Sequence, residues 1–239
     1  MPDIVALIDH AVLHPTQTAD DVRKACAMCA ELGAASVCVK PSHVAVAAEA
    51  LRGSKTVPST VIGFPHGGTS TAAKAAETLQ ACDDGAVEVD MVVNIGQTLA
   101  GEWDAVAADI RAVVDAAKSK GAVTKVIFET GLLPDDATKV KLCELSEAAG
   151  AAYVKTSTGF GFVKADDGSL KSTGATEHDI ALMRASCGPG VKVKASGGVR
   201  SYEDAVKLVA LGAERLGTSG TEAIAAGQRG ETAASSGSY

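Results

Sequence analysis

Short apolar blocks alternate along this chain with longer stretches in which apolar positions return every three or four residues, and polar, glycine-bearing breaks separate the two. That alternation predicts strand followed by helix, repeated. Leu7–Val12 is the first expected strand; Thr18 with Asp20 and Asp21 then caps a helix that ends near Gly33. The same unit recurs at Ala35–Lys40 with helix Ser42–Arg52, Thr60–Phe64 with Thr71–Cys82, and Ala86–Val93 with Glu102–Lys118. Lys125–Glu129 leads through Pro134-Asp135-Asp136 to a helix that stops near Gly150. Tyr153–Thr156 is followed by a long loop and the helix Glu177–Ala185, Lys192–Ser196 by Tyr202–Leu211, and Glu214–Gly217 by a last short helix. Eight such units with no linker between them predict a single-domain α/β protein, a closed (β/α)₈ barrel of the TIM type over residues 1–226. The stretch 227–239, rich in Gly, Ser, Ala and Thr, is expected to be a flexible tail.

Charge on the strands changes the picture. A parallel barrel strand packs its outer face on helices, so its charged residues should point into the lumen, and alternation sorts them. Asp9, Cys38 with Lys40, Glu88 with Asp90, Glu129, Lys155, and Lys192 with Lys194 form the expected inward set, gathered near the C-terminal mouth where barrels of this type keep their sites. Lys155 and Lys194 fall on the sixth and seventh expected strands, as neighbours. Ammonium groups ~5 Å apart at an effective dielectric of ~20 repel by ~3 kcal/mol, or ~2 pH units, which drives one of them towards the free amine. A free lysine amine near neutral pH attacks carbonyl carbon and forms a Schiff base that serves as electron sink, so no metal or other cofactor is expected. Asp90, two strands from Lys155 and expected to reach it through water, would move the protons.

The loops suggest the other half of a ligand. Gly197-Gly198 after the seventh strand and Gly217-Thr218-Ser219-Gly220 after the eighth open onto the corner where barrels build phosphate sites from backbone N–H groups and a helix N-terminus. A small phosphorylated sugar fits. Composition narrows the partners: a net charge of −7 argues against nucleic acid. No stretch reaches the ~18 apolar residues of a membrane span. The start MPDIVALIDHAV has no basic region ahead of a long apolar run, so a cytoplasmic protein is expected. Six cysteines include Cys26-Ala-Met-Cys29, but that pair falls inside a helical run with no second pair to complete a zinc set, and reads as reduced and structural. Cys38 reads as packing, or as a thiol that aldehydes modify, and His10 and His66 as hydrogen-bonding groups.

YVKTSTGFG around Lys155, VKVKASGGVRSYEDAV around Lys194, VEVDMVVNIG around Asp90 and the early LIDHAVL resemble the deoxyribose-phosphate aldolase family, in the same order along nearly the whole chain. The resemblance implies a class I aldolase that reversibly splits 2-deoxy-D-ribose 5-phosphate into D-glyceraldehyde 3-phosphate and acetaldehyde. It implies Lys155 as the Schiff-base lysine and Asp90 as proton donor and acceptor. Lys194 becomes a second donor and acceptor that depresses the pKa of Lys155, and Asp9 the residue that holds the water or lysine network. Thr158, Gly159, Gly197, Gly198, Gly217 and Ser219 would hold the phosphate. Two features depart from or extend the family pattern. Many members carry lysine directly after the STG turn where this chain has Phe160, which predicts one phosphate contact fewer; and Tyr239, the last residue, stands where some relatives use a C-terminal tyrosine in proton transfer, its other reading being a disordered end. Barrels of this kind often form homodimers. Another imine-forming barrel such as a transaldolase-like enzyme, a cofactor-free phosphosugar isomerase, and a non-catalytic phosphosugar-binding barrel stand as rivals.

Overall fold

The computed structural model describes residues 2–165 and 167–231. Eight parallel strands close on themselves: β1 (Ile8–Val12), β2 (Ser36–Val39), β3 (Val57–Ile62), β4 (Glu88–Val92), β5 (Val123–Ile127), β6 (Tyr153–Lys155), β9 (Lys192–Ser196) and β10 (Ala213–Thr218). β1 pairs with β10 through Ile8 opposite Leu216, which completes the ring, so the sheet has no free edge. The helices α1 (Ala19–Leu32), α2 (Val44–Ala50), α3 (Thr71–Asp83), α4 (Ile95–Leu99), α5 (Trp103–Ser119), α6 (Asp136–Ala149), α7 (Glu177–Ser186), α8 (Tyr202–Ala210) and α9 (Thr221–Gln228) follow the strands in order. The expected (β/α)₈ barrel is the fold observed.

Local signals set the helix ends. Thr18 and Asp21 form a reciprocal capping box at the start of α1, and Gly33 closes it in a left-handed turn at φ 79°. Asp135 caps α6, Gly150 ends it at φ 85°, and Ser201 with Asp204 boxes the start of α8. The core lies between sheet and helices: Val37, Val39, Met91, Val126, Phe128, Val154 and Val193 on the outer strand faces meet Val22, Ala47, Ile110, Val113, Leu142, Ile180 and Ile224 from the helices. Alanines and valines at these contacts let helices sit close to the strands, which fits the scarcity of aromatics.

Four expectations need correction. The third strand begins at Val57 and not Thr60, because Pro58 is tolerated near a strand start where its carbonyl still accepts from the Val87 N–H. The long loop after β6 carries an antiparallel hairpin, β7 (Phe162–Lys164) with β8 (Leu170–Ser172). A short helix, α4, precedes α5, its start capped by Asn94. The last helix runs to Gln228, whose side-chain oxygen accepts from the Ile4 N–H at 2.8 Å and ties the end of α9 to the start of the chain.

Candidate active site

Alternation along the strands sends alternate side chains inward, and register decides which of them meet. Lys155 on β6 lies opposite Lys194 on β9, and Asp90 on β4 opposite Lys125 on β5. The side chains of Asp9, Asp90, Lys125 and Lys194 are sealed from solvent to within about 1%, and that of Lys155 is 4% exposed. They form one ionic cluster. Lys155 Nζ donates to Asp90 Oδ2 at 2.8 Å, and Lys194 Nζ donates to the same oxygen at 2.7 Å and to Asp9 Oδ2 at 2.5 Å. The contact between Lys155 and Asp90 is therefore direct, without the bridging water expected from their strand separation. Lys125 sits beneath, 3.0 Å from Asp9, 2.6 Å from Glu88 and 2.9 Å from Asp90.

The two lysines differ in their surroundings. Burial pushes the Lys155 ammonium below the ordinary lysine value; Asp90 opposes the fall and the Lys194 charge adds to it. Lysine–lysine repulsion, the cause expected, is thus a contributor, and burial is the larger one. Burial also works against a charge on Lys194, but Asp9 and Asp90 outweigh it and hold this group above the ordinary value. For the carboxyls of Asp9 and Asp90 burial is again opposed and overcome: Lys125 and the neighbouring cations hold both below the usual range. The result is a free-amine candidate beside a fixed cation and fixed anions, a combination suited to attack on a carbonyl followed by proton transfer.

Above the cluster opens a cavity of about 810 Å³, within the range that holds small-molecule ligands. Lys155, Lys194, Asp9 and Cys38 line its floor; Thr158, Gly159, Gly197, Gly198, Gly217 and Ser219 line its walls. The cavity brings every described residue of the expected site together except Asp90, which lies beneath it. Tyr239 lies outside the described residues. A methyl group at Gly217 would lie 1.9 Å from Ser196 Oγ and 3.2 Å from Lys194 Cε, so its lack of a side chain leaves room for that lysine. Phe160 also lines the wall, its ring edge-to-face on Phe64 at 5.3 Å. Thr158 is occupied otherwise than expected: its N–H and its hydroxyl both donate to Glu129 Oε2.

Glu129 is inward but turned away from the lysine cluster. Lys40, expected inward, instead donates from Nζ to the carbonyls of His14, Pro15 and Gln17, because β2 ends before it and the β1–α1 loop turns these carbonyls toward it. Lys192 and Glu88 stand at the starts of β9 and β4, so they lie at the N-terminal end of the barrel and not at the mouth; Lys192 is exposed and lies 5.7 Å from the Tyr153 ring centre. Three charged residues were missed. Lys125 was legible, since it alternates with Ile127 on β5 and with Glu129 two residues past the strand's end. Arg215 was not: a register shift between Ala213 and Arg215 puts Ala213 opposite Val193 and Arg215 opposite Lys194, which breaks the alternation that would have sorted them. Arg200, exposed at the rim beside Gly197 and Gly198, had no strand pattern to mark it.

A model of the DeoC/LacD family aldolases matches residues 4–226. The chain belongs to that family. This DeoC/LacD aldolase is 49% identical over 224 residues to a deoxyribose-phosphate aldolase of Streptococcus suis, covering 94% of this chain and 96% of the relative. It is 50% identical over 222 residues to one of Bacillus cereus, covering 93% and 94%. Among solved structures it is similar to the tetrameric deoxyribose phosphate aldolase of Aeropyrum pernix, with a TM-score of 0.84, 31% identity, and coverage of 95% of this chain and 91% of that one.

Proposed function

We propose that this DeoC/LacD aldolase is a deoxyribose-phosphate aldolase, a class I lyase that reversibly cleaves 2-deoxy-D-ribose 5-phosphate to D-glyceraldehyde 3-phosphate and acetaldehyde. The observation that carries the reading is Lys155, a buried amine with a lowered proton affinity at the floor of a solvent-open cavity, 2.8 Å from a carboxylate. Relatives named for the activity at about half identity support it.

In this reading the Lys155 amine adds to the aldehyde carbon of the open-chain sugar, and the carbinolamine loses water to give an imine. A base removes the proton of the C3 hydroxyl, the C2–C3 bond breaks, and its electron pair flows into the imine, which leaves glyceraldehyde 3-phosphate and an enamine on Lys155. Protonation of the enamine carbon and addition of water release acetaldehyde. Asp90, held anionic, is the proton acceptor, and Lys194, held cationic, the donor; both contact the reacting end of Lys155 through the shared Asp90 oxygen. Asp9 keeps Lys194 in place. The phosphate rests on the Gly197-Gly198 turn, Gly217, Ser219 and the start of α9, with Arg200 at the rim supplying a positive charge and Gly159 the far wall. Thr158 joins them only by exchanging its bonds to Glu129.

Acetaldehyde and the phosphosugar are the partners in this reading; the chain assembles as a homodimer and works in the cytoplasm, which suits six cysteines that are all free thiols. The test is borohydride reduction during turnover with acetaldehyde or deoxyribose 5-phosphate, followed by peptide mass mapping. The expected adduct lies on the Lys155 peptide and disappears in Lys155→Ala, whose rate falls at least ~10³-fold. No adduct in the parent sends the reading to an imine-free isomerase.

A further inference from the structure

The cluster beneath Lys155 reaches further down the barrel than the chemistry needs. Arg215 donates from Nη1 to Asp9 at 2.5 Å and to Glu88 at 2.9 Å, and from Nη2 to the Tyr153 hydroxyl at 3.0 Å. Lys125 joins Glu88 to Asp9 and Asp90. Lys155 is thus one end of a continuous chain of ion pairs whose other end, Glu88 and Arg215, is 12% exposed at the base of the barrel. The carboxylates are Asp9, Glu88 and Asp90; the cations apart from Lys155 are Lys125, Lys194 and Arg215. Three stand against three, so the cluster is neutral only while Lys155 is a free amine.

We propose that Glu88, Lys125 and Arg215, none of which reaches the cavity, are positioning residues that fix the protonation state of Lys155 by setting the charge of the cluster it terminates. Deep burial makes an unbalanced charge costly, so the group nearest solvent that can release its proton does so. Lys155 is that group: of the three cluster lysines it is the most exposed and pairs with one carboxylate where Lys194 pairs with two, and its ordinary proton affinity lies below that of arginine. The groups that face it are Asp90 from β4, Lys194 from β9 and the neutral Cys38 thiol from β2; behind them stand Asp9 from β1, Lys125 from β5, Glu88 from β4 and Arg215 from β10. The direction of the Lys155 shift agrees with this arrangement.

The inference rests on the imine reading, and its test separates the two. The rate of borohydride-trapped acetaldehyde adduct on Lys155 is measured against pH for the parent, Glu88→Gln, Lys125→Met, Arg215→Gln and Arg215→Lys, with folding of each checked by thermal melting. Removal of the Glu88 charge should move the midpoint of the acid limb down by about one pH unit; loss of the Lys125 or Arg215 charge should move it up by a similar amount. Arg215→Lys, which keeps the charge, should restore the parent midpoint. A merely structural role would lower all rates without moving midpoints in opposite directions. No parent adduct overturns the imine reading itself. A parent adduct with midpoints unmoved, or moved the same way in Glu88→Gln and Arg215→Gln, overturns the charge-balance proposal; if Lys125→Met fails to fold, the Glu88 and Arg215 pair decides.

Discussion

Glu129 adopts a left-handed backbone conformation, φ 56° and ψ 57°, that only glycine takes without cost. Its carboxylate explains what holds it there. Oε2 accepts from the N–H and hydroxyl of Thr158, Oε1 accepts from the Thr173 hydroxyl at 3.2 Å, and Gly161 leaves room for the group, since a methyl there would lie 2.8 Å from its carboxyl carbon. One buried carboxylate therefore clamps both ends of the segment that carries the hairpin, and with it Gly159 and Phe160 of the cavity wall. Glu129→Gln places an amide donor among three donors and should cost about 1–3 kcal/mol of stability in urea unfolding. Because Lys155 lies on β6 and not on the clamped loop, the same change should raise KM for the phosphosugar more than it lowers the rate of acetaldehyde adduct formation. Equal effects on both would show that the clamp reaches the lysine. The sequence marked Glu129 as inward but could not mark its partners, because Thr158 and Thr173 are brought to it by a loop with no periodicity of its own.

At the scale of elements, α3 shows where hydrophobic patterning misleads. Its buried face is Lys74, Thr78 and Ala81, correctly spaced for a helix but mostly polar. Lys74 is sealed between α3 and α5: its Nζ donates to Asp109 at 2.5 Å and to the Val92 carbonyl at 2.8 Å, and Thr71 donates to the other Asp109 oxygen at 2.9 Å. This pair fastens two helices to the end of β4, two residues beyond Asp90. Lys74→Met should cost about 3–5 kcal/mol by stranding a buried carboxylate, whereas Lys74→Met with Asp109→Leu should recover most of it. Urea midpoints of the two variants read the difference, and a double variant no better than the single one would place the loss in packing. Helix starts, by contrast, were legible at Thr18 and Asp135, because a cap is a contact between residues three apart. The hairpin was not: its strands are three residues each and exposed throughout, so neither burial nor alternation marks them.

For the whole molecule, acid should act in two stages. His10 on β1 is buried with Nδ1 2.8 Å from the Thr221 hydroxyl, and burial lowers it from 6.5 to about 4. The unfolded chain takes up this proton near pH 6.5 and the folded chain only near 4, so stability present above 6.5 is lost as pH falls through that window, by about 3 kcal/mol. Asp9 and Asp90, whose folded values lie below those of free carboxylates, contribute stability above pH ~4 that is lost only as pH falls further. Urea unfolding at pH 7.0, 5.5 and 4.5 should show the first loss in the parent and not in His10→Gln; parallel pH dependences would remove His10 as its source.

The sequence by itself determined the order of the eight strand–helix units, the barrel, the convergence of Asp9, Asp90, Lys155 and Lys194, and the glycine turns that line the cavity. Each of these depends on local periodicity, on capping, or on alternation carried through a closed parallel sheet. Only the tertiary structure decided which charges meet: that Lys155 touches Asp90 directly, that Lys125 and Arg215 complete the cluster, that Lys40 leaves it, and that burial outweighs the neighbouring lysine in shifting Lys155. Register, bulges and depth arise from contacts between residues far apart along the chain, 206 positions in the case of Arg215 with Asp9, and a pattern read along the chain does not contain them.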